Sequence, residues 1–116
     1  MASIEGLWWV GFKNLNNDLF GSAHIVCETQ RILGGDAQYT IIGEYKMLGK
    51  EIAGNVKVSP TPAAGLNILG QENSEFTAEI KGVQWEEADG KAAHVILEAD
   101  NGDKILMFLQ QRFQLR

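Results

Sequence analysis

The stretch RILGGDAQYTIIGEY, residues 31–45, decides how this chain is read. Two adjacent glycines and an aspartate separate two apolar runs, and two tyrosines follow at an even spacing. A Gly-Gly pair takes positive φ at both positions without steric cost, as tight turns between strands demand. Asp36 adds a short acceptor able to bond the backbone just ahead of it. Beyond it the residues alternate. Ala37, Tyr39, Ile41, Gly43, Tyr45 and Met47 fall on one face; Gln38, Thr40, Ile42, Glu44 and Lys46 fall on the other. With a side-chain period of two, that is a half-buried strand whose tyrosines point inward. A phosphate loop would need its glycines to open a helix, with Lys-Ser or Lys-Thr in the P-loop case. Neither follows, so Gly34, Gly35 and Asp36 predict a turn.

The same alternation recurs on both sides of this stretch. It predicts strands near 6–13, 19–28, 30–33, 37–47, 50–58, 75–85, 92–99 and 104–113. Asn16-Asn17-Asp18, Gly34-Gly35, Gly49, Asp89-Gly90 and Asn101-Gly102 punctuate them. The Asn-Gly pair between AAHVILEAD and KILMFLQQ is the strongest hairpin signal. One connection is long: SPTPAAGLNILGQENS, residues 59–74. Pro60 and Pro62 end the strand before it, and Leu66, Ile68 and Leu69 are apolar enough to need cover. No segment sustains an apolar period of 3.6. The fold class is therefore all-β, as a sandwich or a single antiparallel up-and-down barrel of about eight strands. Closure favours the barrel because it removes the exposed edges of a small sheet.

Composition sets the outer bounds. At 116 residues the chain makes one domain, 1–116, with 45% hydrophobic and 22% charged residues, which are ordinary globular values. A net charge of −5, with Lys and Arg scattered singly, argues against nucleic acid as a partner. Cys27 is alone, so no internal disulfide forms and a reducing compartment is favoured. MASIEGLWWVGF lacks the basic start and long apolar core of a signal peptide, and no apolar run reaches the length of a membrane span. The expectation is a cytoplasmic protein that uses no membrane.

Candidate catalytic groups are few. His24 and His94 have no partner at metal-ligand spacing, and no nucleophile elbow accompanies them. Cys27 has no basic neighbour to lower its pKa and reads as a small buried hydrophobe. Glu86, Glu87 and Asp89 read as a solvated hairpin tip beside Gly90. No catalytic, cofactor or metal site is expected. Trp8, Trp9 and Trp85, with Tyr39, Tyr45 and Phe76, line either a ligand pocket or a filled core, and core filling is the commoner fate of large aromatics.

GLW with Phe12, then Gly21, then GGDAQYTIIGEY, resembles the GrlR-like family of bacterial regulators, whose best-known member represses type III secretion genes. The matching residues are Gly6, Leu7, Trp8, Phe12, Gly21, Gly34, Gly35, Asp36, Tyr39, Gly43 and Tyr45, all in the first 45 residues. The resemblance implies a lipocalin-like β-barrel, usually dimeric, that acts by binding rather than catalysis. It also implies a transcriptional activator held through an acidic run soon after the Gly-x-Tyr strand. Here that run is KMLGKE, with Lys46 and Lys50 where acids belong. The fold carries over; the partner does not.

Two functions follow: a regulatory protein-binding module with a filled barrel, or a carrier of a small apolar ligand. The expected barrel lining is Trp8, Phe12, Tyr39, Tyr45 and Phe76, with any cavity opening under the 59–74 loop. The first and last strands are apolar on both faces. If Trp8, Val10, Phe12, Ile105, Met107 and Leu109 face inward, then Leu7, Trp9, Leu106 and Phe108 face out. First and last strands adjoin in an up-and-down barrel, so these four predict a homodimer interface. The 46–51 turn and the 86–89 tip are left for another partner.

Overall fold

The structure is a computed structural model and describes residues 4–16, 18–61, 75–87 and 90–114. Eight strands follow one another: β1 (Gly6–Lys13), β2 (Leu19–Glu28), β3 (Arg31–Gly35), β4 (Tyr39–Leu48), β5 (Glu51–Pro60), β6 (Phe76–Glu87), β7 (Gly90–Ala99) and β8 (Lys104–Gln114). Each pairs antiparallel with the next, and β8 returns to pair with β1. The sheet is a closed up-and-down barrel. No described helix is long and apolar enough to cross a membrane.

Alternation places the core. On β4, Ile41 and Tyr45 are buried while Thr40, Ile42, Glu44 and Lys46 are exposed. On β5, Ile52, Val56 and Val58 point in, and Glu51, Ala53, Asn55 and Lys57 point out. Trp8, Val10, Phe12 and Val58 are the largest fully buried side chains. Tyr39, Met47, Phe76 and Met107 pack against this core from partly buried positions.

The glycine pair is not the turn. Gly34 and Gly35 lie inside β3, opposite Ile25 and His24 of β2 and Ile41 and Thr40 of β4. A Cβ on Gly34 would run into the His24 carbonyl and lie 2.6 Å from the Cα of Ile25. Gly35 has φ of 141°, which disfavours any side chain. These glycines admit a neighbouring backbone rather than reverse the chain. The reversal is Asp36-Ala37-Gln38, so Ala37 is exposed in the turn and β4 begins at Tyr39. Asp36 acts as expected: its Oδ1 accepts from the N–H groups of Gln38 and Tyr39, both at 2.8 Å.

Two further boundaries differ. Glu86 and Glu87 belong to β6, paired with Lys91 and Gly90, because the β6–β7 ladder runs past the expected hairpin tip; Asp89 lies outside the described residues. Of the long connection, Thr61 is fastened to the β3–β4 turn by bonds to Gln38 O (2.8 Å) and Ala37 O (2.6 Å). Pro62, Leu66, Ile68 and Leu69, and the cavity mouth expected beneath them, lie outside the described residues.

Candidate functional site

The interior comes first. Trp8 is 1% exposed and its Nε1 donates to the Ile4 carbonyl at 2.7 Å, tying Ile4 to the core it joins. Phe12 and Tyr45 are buried, and Tyr39 and Phe76 partly so, as the expected lining requires. The void left between Val10, Ile41, Tyr45, Val56, Val95 and Leu109 is about 50 Å³. For comparison, an apolar cavity of about 150 Å³ holds benzene, and pockets for drug-sized ligands measure about 300–1,000 Å³. Burial pushes the Cys27 thiol up to about 12, so it stays protonated and is no nucleophile at neutral pH. Burial, and then the Cys27 and Glu5 charges, push Tyr45 up to about 12 as well. Gln84 is buried with no partner for its Oε1 among the described residues.

His24 and His94 do not meet. They stand exposed on β2 and β7, with β1 and β8 between them. Among the described residues no group of three His, Cys, Asp or Glu side chains could hold a metal.

The outer wall is where aromatic side chains gather. Leu7, Trp9, Leu106 and Phe108 all point outward and are half-buried. Trp9 and Phe108 stand edge to face at 6.5 Å between ring centres. Leu7 adjoins exposed Phe113 at one end of the β1–β8 ladder, and Leu106 sits opposite Lys13 and Ile96 toward the other. The four therefore form a diagonal band centred on the Trp9–Phe108 pair.

The band is wider than the sequence predicted, because Trp85 does not enter the core. On β6 Ala78, Ile80 and Gln84 face in, so Trp85 faces out. It meets His94 edge to face at 4.9 Å, and His94 meets Phe108 at 5.4 Å. The Lys13 ammonium lies 5.5 Å over the Phe108 ring, a cation–π distance. These rings roof small residues. Ala92, opposite Trp85, is 1% exposed yet stands apart from the barrel core, and a Cβ on Gly11 would strike the Trp9 indole at 2.7 Å. Exposed Val83 and Ile96 flank the cluster. Trp85 was legible from the phase of its strand, but its neighbours depend on inter-strand register, which no short window of sequence carries.

No family model and no curated protein matches the chain.

Proposed function

We propose that the protein is a non-enzymatic regulatory binding module that acts through its outer wall and pairs with a second copy of itself across the Trp9–Phe108 band. The observation that carries this reading is the contrast between the two faces of one sheet. Among the described residues the barrel interior holds a void of about 50 Å³, small for an apolar cargo, while the exterior of β6, β7, β8 and β1 presents neighbouring aromatic side chains. Half-buried Trp9, Trp85 and Phe108, with Leu7 and Leu106 and the exposed Val83, Ile96 and Phe113 near them, give this wall an apolar surface of the kind that marks an interface. A two-fold axis is the simplest way for a patch to cover itself. The fold and this mode of action agree with the resemblance to GrlR-like regulators, and the lone buried thiol suits a reducing cytoplasm.

The test is assembly. Wild type is expected to be dimeric by light scattering at tens of micromolar, and Trp9→Glu, which would bury two charges in the contact, to be a folded monomer. A monomeric wild type, or a Trp9→Glu variant that stays dimeric, overturns the reading. A fluorescent fatty acid bound at one per barrel would favour the carrier instead.

A further inference from the structure

The wall on the far side of the barrel, over β4–β6, holds an open groove of about 510 Å³. This lies within the range of small-molecule sites. Strand register builds it. Glu44, Asn55 and Glu79 stand directly opposite one another across the three strands and form one side; Lys46, Ala53 and Lys81 form the other. The rows are two residues apart, about 6.7 Å, on the same outer face. Between them Tyr45, Gly54 and Ile80 turn their side chains inward or have none, and leave backbone as the floor. Arg31 and the Thr29–Gln30 turn close one end, where the turn meets β4 through a 3.0 Å bond from Tyr45 N to Gln30 O.

The arrangement of charge in the groove points to a ligand. Its five charged groups, Arg31, Glu44, Lys46, Glu79 and Lys81, form no ion pair with one another. The turn on its rim is a two-residue hairpin loop, with Thr29 at φ 53° and Gln30 at φ 64° as that turn type requires.

We propose that this groove binds a small phosphorylated polyol such as a sugar phosphate, its phosphate between Lys46 and Lys81 above Ala53 and its hydroxyls on Glu44, Asn55 and Glu79. The Cα atoms of the two lysines stand two strand spacings apart, about 9.6 Å, on either side of Ala53, a span that two lysine side chains are long enough to close around one phosphate. Lysine ammoniums bind phosphate as point charges. Carboxylates accept hydrogen bonds from hydroxyls and repel a phosphate placed against them, which fixes the ligand's direction. Inorganic phosphate meets one side of the groove only, and a neutral sugar only the other. An acidic peptide would satisfy the lysines and leave Glu44 and Glu79 against its charges.

The site is independent of the aromatic band, so its test is separate from the assembly test. The full chain is titrated by NMR with ribose 5-phosphate, inorganic phosphate and ribose. Ribose 5-phosphate is expected to shift the amides of Lys46, Ala53 and Lys81 saturably, about tenfold or more tighter than either component alone. Lys46→Glu/Lys81→Glu, with both positions exposed and the fold checked by circular dichroism, should lose that binding. Glu44→Ala/Glu79→Ala should keep phosphate binding but erase the advantage of the sugar phosphate. Absence of saturation at these amides, equal binding of inorganic phosphate, an acidic peptide that binds more tightly, or an unchanged lysine double variant overturns the proposal.

Discussion

At Gly34 the limit on the side chain is set by a neighbouring backbone, not by a turn. The β2 chain passes so close that a Cβ would meet the His24 carbonyl and the Cα of Ile25, and backbone cannot swing aside as a side chain can. Forcing atoms into a packed site costs about 1–3 kcal/mol. Gly34→Val should therefore lower the melting temperature by roughly 10 °C, taking about 2 kcal/mol at 4–8 °C per kcal/mol. Thermal denaturation followed by circular dichroism measures it, and an unchanged midpoint would mean that β2 and β3 separate freely. The residue types at 34–36 announced a special backbone, and Asp36 took the role its chemistry predicts. Whether the glycines lie in the turn or beside it depends on the partner strand, which the local sequence does not contain.

At the level of elements, the β2–β3 hairpin is the connection that carries no turn signal. Glu28-Thr29-Gln30-Arg31 has no glycine, asparagine or proline, yet both central residues have positive φ, as a two-residue type I′ loop requires. An ordinary residue in that region costs about 1–2 kcal/mol. The turn is held from outside: Thr29 N donates to the Glu5 carboxylate at 2.9 Å, and Gln30 O accepts from Tyr45 N. Thr29→Asn with Gln30→Gly preserves both backbone bonds and removes the strain, so the double variant should be about 2 kcal/mol more stable in urea denaturation. A midpoint equal to or below that of wild type would show that Thr29 and Gln30 contribute contacts worth as much as the strain. Elsewhere the punctuation was legible. Gly49 and Gly102 both adopt positive φ between the strands they were expected to separate.

Across the whole molecule, strand alternation indicated which residues face in, and a closed barrel was favoured over a sandwich because closure removes the edges of a small sheet. The outer aromatic band was only half legible, since Leu7, Trp9, Leu106 and Phe108 came from the β1–β8 adjacency while Trp85 and His94 join through the β6–β7–β8 register. Two titratable groups in the apolar interior make the fold sensitive to alkali. Cys27 and Tyr45 sit inside the barrel, each pushed up to about 12 from ordinary values of 9.0 and 10.0. Both groups are neutral in the folded state and ionise more readily in the unfolded chain. Their contribution is whole below pH 9 and is lost as pH rises toward 12. Each group removes about 1.4 kcal/mol per pH unit across its window. Urea midpoints should thus stay level from pH 6 to about 8.5, fall above about 9 as Cys27 ionises in the unfolded chain, and fall more steeply above about 10 when Tyr45 joins. Cys27→Ala leaves a small void and is less stable at neutral pH, but its decline should begin about one unit higher, where tyrosine alone acts. Parallel declines of wild type and Cys27→Ala between pH 9 and 10 would show that some other group governs alkaline unfolding.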